Sequence, residues 1–145
     1  MNIYFIAIIG FLIFEYLLSF IVRLLNLKAL DPNLPNEFED TFVKEEYLKS
    51  QEYTKANSKF SYITSTFSLT VSLIFIFGGF YNIIDEFVIA AGYGNIITGL
   101  LFFGSLSLIT DLINLPFALY STFVIEEKFG FNKTTLGTFF IDKLK

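Results

Sequence analysis

The sequence predicts an all-α, multi-pass membrane protein with three spans and a cytoplasmic amphipathic helix between spans one and two. Three observations carry this. Hydrophobic residues make up 54% of the 145 residues, and Phe alone contributes 20. Three apolar stretches each reach the roughly 20 residues that a bilayer core demands of a helix. Between the first two lies a charged segment with helical, not random, patterning.

Span one is expected over Ile3–Leu25, span two over Ser61–Ile84 and span three over Ile96–Ile125. Pro116 falls inside the third, where the missing N–H and the pyrrolidine ring kink a helix. Bilayer helices tolerate this when neighbouring groups re-satisfy the freed carbonyl. Span one does not read as a cleaved leader: no Lys or Arg precedes it, and Arg23 and Lys28 follow it, the reverse of a leader's charge order. Of the ten Lys and Arg residues, six lie in 23–60, none in 85–95 and four in the tail from Lys128. The positive-inside rule then puts the N-terminus outside and the first loop and C-terminus in the cytoplasm.

The first loop opens on "DPNLPNEFED", with Asn36 and Glu39 at capping-box spacing. A charged helix is expected to follow to about Phe60. Asp40–Lys44 and Glu45–Lys49 are acid-before-base pairs four apart, the favourable order. Phe38, Phe42, Tyr53, Ala56 and Phe60 share one arc of that helix, a stripe that needs a docking surface.

Polar residues inside the spans fall on single faces. Span two carries Ser61, Ser65, Ser68, Ser72 and Gly79 on one side. Small residues in a line allow close helix packing, which is the simpler reading; the sharper one is the wall of a wet cavity. Gly78 and Gly79 offer a bend. Span three carries Gly104, Ser107, Asp111, Asn114, Ala118 and Ser121 on one face. A carboxylate at membrane depth is costly and points to function or to a buried partner. That applies to Asp111 and to Glu15, central in span one with Ser19 and Asn26 on its side. Arg23 lies two turns from Glu15, too far for a direct pair along one straight helix. Two such carboxylates also admit a proton-coupled transport reading, for which three helices form a small enclosure.

The stretch "STFVIEEKFGFNKTT", 121–135, ends span three in a polar turn. Gly130 just past a helix whose last turn holds Lys128 is a C-cap pattern. Asn132 or Thr134 is placed to cap a new helix, with Leu136, Phe139, Phe140 and Leu144 as its apolar side. Glu126 and Glu127 do not fit a plain joint, because anions near a helix C-terminus oppose the dipole.

With its upstream residues, "LPFALYSTFVIEEKFGFNKTT" resembles the end of the third membrane span in type I CAAX prenyl proteases, integral-membrane zinc metalloendopeptidases. The matching positions are Leu115, Pro116, Phe117, Tyr120, Thr122 to Glu127, Lys128, and Gly130 to Asn132. Tyr47, Lys49, Ser50, Tyr53 and Phe60 in the first loop are similar to a second stretch of that family. Phe129 stands where eukaryotic members often have His. The resemblance implies a barrel of seven membrane helices around a water-filled chamber, capped on the cytoplasmic side by a zinc domain. It implies prenylated CAAX peptides, or other membrane-associated peptides, as substrates. It places the chain in the endoplasmic reticulum membrane of a eukaryote or the cytoplasmic membrane of a bacterium. Glu15, Ser107, Asp111, Asn114, Glu126, Glu127, Lys128, Gly130 and Asn132 become chamber-lining or junction candidates, with the two glutamates bracing the junction to the zinc domain through a buried basic partner.

The same composition excludes other chemistry. The chain has no His and no Cys. The H-E-x-x-H helix that binds zinc in this family and activates its water is therefore absent. No catalytic residue and no metal ligand is assigned. The chain, 1–145, reads as the N-terminal transmembrane domain of such a peptidase, inactive alone, with zinc held by a C-terminal domain outside it. The alternative is a stand-alone three-span interaction protein without protease activity. The net charge of −4 and the missing basic patch argue against nucleic-acid binding. The expected partners are the bilayer, the zinc domain and the peptide substrate.

Overall fold

The computed structural model describes residues 2–34 and 43–144, with the side chain of Leu144 excepted. The described residues form helices and turns and contain no strand. Five helices follow in order: α1 Ile3–Ala29, α2 Lys44–Phe77, α3 Phe80–Ala90, α4 Asn95–Tyr120 and α5 Leu136–Leu144. Helix α4 passes without a break into a π-helical turn, Ser121–Glu126. Three helical segments, Ile3–Ala29, Lys44–Phe77 and Asn95–Glu126, are long and apolar enough to cross a membrane.

Helix α2 has 34 residues and runs unbroken from the charged loop segment into the second span. A separate loop helix ending near Phe60 is thus not what forms. No Gly or Pro separates Lys44 from Phe77, so nothing in the backbone stops propagation. The capping box at Asn36 and Glu39, the Asp40–Lys44 pair, and Phe38 and Phe42 of the stripe lie outside the described residues.

The second span ends at Phe77, seven residues before the expected Ile84. Gly79 adopts φ 70°, in the left-handed region, and takes the place before the first turn of α3. A Cβ on Gly78 would stand 2.6 Å from the Ile74 carbonyl oxygen and 2.8 Å from the Phe80 ring. The pair therefore breaks the helix rather than bending it, and each glycine has its own steric reason. Pro116 lies inside α4, as expected.

The chain forms two compact units. One comprises Met1–Val22 and Tyr62–Pro116. In it α1 and α2 run antiparallel: contacts that rise along α1 fall along α2. Phe5 meets Phe77 edge-on at 5.6 Å, the Tyr16 hydroxyl lies 2.8 Å from Thr66 Oγ1, and Phe20 meets Tyr62 at 5.0 Å. The exposed hydroxyl pair gives each polar group a partner on an otherwise apolar helix surface. The other unit comprises Arg23–Ser61 and Phe117–Lys145. There the half-buried Arg23 donates from Nη1 to the Ser61 carbonyl oxygen at 2.7 Å. A backbone acceptor, and not Glu15, thus receives this charged hydrogen bond.

Among the described residues, the buried hydrophobic ones are Val88, Ile125 and Phe129. Large apolar side chains elsewhere face outward, including Phe11 and Phe103 at 74% and 71% exposure. So much contiguous apolar surface requires a partner or an apolar solvent. Three helices of spanning length supply the reason: the solvent is a bilayer.

Candidate functional site

Two places concentrate polar chemistry, one in each unit. The first is a cavity of about 260 Å³ in the first unit, lined by Ser68, Val71, Ser72, Phe75, Tyr81, Leu106, Thr110, Ile113 and Asn114. Ser68 and Ser72 are one turn apart on α2, and Leu106, Thr110 and Ile113 recur at helical spacing on α4. The small side chains leave the space, because a Ser on each turn cannot fill what a Leu would. Phe75 stacks on Phe80 at 5.1 Å and meets Tyr81 edge-on at 5.9 Å, which sets the aromatic end of the wall. Thr110 donates its hydroxyl to the Leu106 carbonyl at 2.8 Å, folding its polar atom back onto the helix. The cavity therefore has a mixed lining, with hydroxyls and aliphatic groups from both α2 and α4, one amide from α4, and rings from α2 and α3.

Of the residues singled out from sequence, Asn114, Ser68 and Ser72 line this cavity. Ser107 and Asp111 are exposed on α4 and do not belong to its lining. Glu15 is exposed on α1, in a shallow apolar groove with Phe11, Phe14 and Leu18. Thr110 and Tyr81 were not singled out. Thr110 is one position off the polar stripe that the α4 sequence displays, and Tyr81 enters only because α2 stops at Phe77.

The second place is the joint after α4, in the other unit. Gly130 has φ 66°. Its N–H reaches the Glu127 carbonyl at 3.0 Å, and the Phe131 N–H reaches the Glu126 carbonyl at 2.9 Å. These two bonds make a Schellman motif with Gly130 at C′, the C-cap expected from the sequence. Glu127, exposed, accepts from Asn132 Nδ2 at 2.9 Å, while Asn132 Oδ1 accepts from the Thr134 N–H at 2.7 Å. Asn132 thus ties the carboxylate to the turn. An amide donor offsets the unfavourable position of an anion at a helix C-terminus. Glu126 is half-buried, and its carbonyl also receives the Asn132 N–H at 3.3 Å.

Asn132 and Thr134 do not cap α5. Thr135 does: its Oγ1 accepts from the Thr138 N–H at 3.2 Å. Asn132 is occupied by its own Asx turn, which leaves the hydroxyl immediately before Leu136 in the capping position.

Aromatic rings lock the joint to α2. Tyr53 meets Phe129 at 5.6 Å and Phe131 at 4.9 Å, both edge-on. Phe60 meets Tyr120 at 4.8 Å and Phe117 at 6.2 Å. Such pairs contribute about 0.5–1.5 kcal/mol each beyond area burial. Lys49 Nζ stands 5.6 Å from the centre of the Phe131 ring, and Lys128 Nζ 5.4 Å from that of Phe129. The stripe members Tyr53 and Phe60 therefore have their docking surface, and the two motifs that stood far apart in sequence meet in space. The π turn Ser121–Glu126 was not anticipated. It has no residue signature, although it starts five residues after Pro116, where the helix already lacks a donor.

Residues 23–145 match the family model for the CAAX prenyl protease N-terminal region, described as having five membrane helices. The chain is 32% identical to the CAAX prenyl protease 1 homolog of Dictyostelium discoideum, over 97% of this chain and 35% of that protein. It is 41% identical to the probable CAAX prenyl protease 1 of Schizosaccharomyces pombe, over 70% of this chain and 24% of that one. In structure it resembles the crystal structure of S. mikatae Ste24p, with a TM-score of 0.86 and 30% identity over 99% of this chain and 35% of that chain. The chain spans about a third of the length of these relatives, or less.

Proposed function

Because the chain belongs to the CAAX prenyl protease family and matches its N-terminal membrane region, we propose that it is the membrane scaffold and part of the substrate chamber of a zinc metalloendopeptidase. The substrates on this reading are prenylated CAAX peptides or other membrane-associated peptides. The observation that carries it is the mixed cavity between α2 and α4. Ser68, Ser72, Thr110 and Asn114 supply polar groups for a peptide backbone, and Phe75, Leu106 and Ile113 supply apolar surface for its hydrophobic portion.

Zinc is the metal that the family implies. There is no His or Cys in the sequence, and among the described residues no group of three or more Asp or Glu is placed to hold a metal ion. Hydrolysis is therefore assigned to residues outside this chain, and the part played here is binding and positioning. Glu126, Glu127, Lys128, Gly130 and Asn132 form the rigid joint leading out of the third span. We place this joint, the first loop and the C-terminus on the cytoplasmic side, with the N-terminus opposite, from the distribution of Lys and Arg.

The test is photolabelling. A farnesylated CAAX peptide carrying a photoreactive group is incubated with membranes containing the full-length protein, and the adducts are mapped by mass spectrometry. Labelling within Ser68–Phe75 or Leu106–Asn114, competed by unlabelled peptide, is expected. Competed labelling that falls wholly outside these two segments overturns the chamber assignment.

A further inference from the structure

We infer that α3 is an interfacial helix that lies along the membrane–water boundary, with Ile83 and Phe87 inserted among lipid acyl chains and headgroups. Its 11 residues reach only about 16 Å, half of the roughly 30 Å hydrocarbon core, so it does not span. Its position is set by short tethers. Gly78 and Gly79 alone separate it from the end of α2 at Phe77, and Ala91 to Gly94 separate it from the start of α4 at Asn95. The longer tether allows no more than about 18 Å of extended chain. Both neighbours are helices of membrane-spanning length and composition, so α3 is held at the surface where they emerge.

The helix sorts its side chains three ways. Val88 is buried at 4% exposure, and the Phe80 and Tyr81 rings pack on Phe75 of α2, which marks the edge facing protein. Ile83 and Phe87, one turn apart, stand 58% and 81% exposed. Asn82 and Asp85 are exposed on the opposite arc, which also carries the exposed Ile89, and the exposed Glu86 lies between that arc and the stripe. An exposed Phe beside an exposed Ile, backed by a polar face, is the pattern of a helix lying in an interface. No Lys or Arg occurs in α3 or its tethers. Insertion therefore rests on apolar burial and not on attraction to anionic lipid. Gly79 and Gly92, at φ 70° and 73°, turn the chain at the two ends of α3.

The placement follows from the chain being an integral membrane protein and does not depend on the protease reading. Its test uses full-length protein reconstituted into vesicles of zwitterionic lipid. Single cysteines at Phe87, Ile83, Asp85 or Val88 carry a small fluorophore, and the signal of unsubstituted protein is subtracted. Brominated phosphatidylcholine is expected to quench the label in both Phe87→Cys and Ile83→Cys, while iodide leaves most of their emission. Iodide should quench Asp85→Cys, and Val88→Cys should resist both agents. Iodide quenching at 83 and 87 as strong as at 85 would put the helix in water and overturn the proposal. Protection of 83 and 87 from both agents would mean that protein covers the face, and overturns it equally.

Discussion

The unit built from Met1–Val22 and Tyr62–Pro116 holds a cavity, whereas the unit built from Arg23–Ser61 and Phe117–Lys145 is knit by interlocked rings. In the first, small hydroxyl residues on α2 leave a cavity of about 260 Å³, and the helices touch through scattered ring pairs. In the second, Tyr53 is wedged against Phe129 and Phe131, Phe129 is buried, and a left-handed glycine closes the turn. Interlocked rings and fixed backbone angles make the joint intolerant of change. On the chamber reading proposed above, the cavity wall tolerates substitution but decides what can bind. Residues that hold the fold are, on that reading, separate from residues that select a ligand.

Substitutions should expose that split, beginning with the joint. Tyr53→Ala removes both edge-on contacts and is expected to lower stability by about 3 kcal/mol, the lower end of the cost of emptying an aromatic site. Its detergent-solubilised melting temperature should fall the most of this set. Gly130→Val forces a β-branched residue to φ 66°, with an expected cost of about 2 kcal/mol. Gly130→Ala should lose less, and equal melting temperatures for Gly130→Val and the parent protein would break the C-cap reading. Thr135→Ala deletes the cap of α5 at about 1 kcal/mol, visible as faster amide exchange over Leu136–Phe140. In the cavity the pattern should invert. Ser72→Ala is expected to move stability by no more than about 0.5 kcal/mol. Ser72→Leu, filling the space, should cut photolabelling by the farnesylated peptide several-fold while the protein still accumulates. A Ser72→Leu protein that labels normally would remove the cavity from the substrate path.

Much of the fold could be read before the structure, because its determinants are local. The existence of three spanning segments follows from the apolar runs, Pro116 sits inside the third span, and Gly130 marks the helix end by its need for positive φ. The second span reads as continuing to Ile84 because the residues after Gly79, "FYNII", are less apolar than those before Gly78 but still extend the apolar run. Hydropathy falls without turning polar there, so the steric demand of the two glycines marks the break between α2 and α3. The cap at Thr135 was missed for a competing reason: Asn132 is a good cap by type, but its side chain is already committed to Thr134 and Glu127. The cavity was half legible. Ser68 and Ser72 stood out as a stripe, but which face of α4 opposes them depends on packing between helices distant in sequence. That packing selects Thr110 and Asn114 and leaves Ser107 and Asp111 outside the lining.

The most direct test of the central reading, a membrane portion of a zinc metalloendopeptidase, is affinity capture from detergent-solubilised source membranes with an antibody against residues 43–60. The captured material is assayed for size, zinc content and cleavage of a farnesylated CAAX peptide. We expect a species well above the 16.6 kDa of this chain that contains zinc and cleaves the peptide, with activity lost to a chelator and restored by zinc. Captured material that accumulates stably near 16.6 kDa, without zinc and without cleavage, would contradict it.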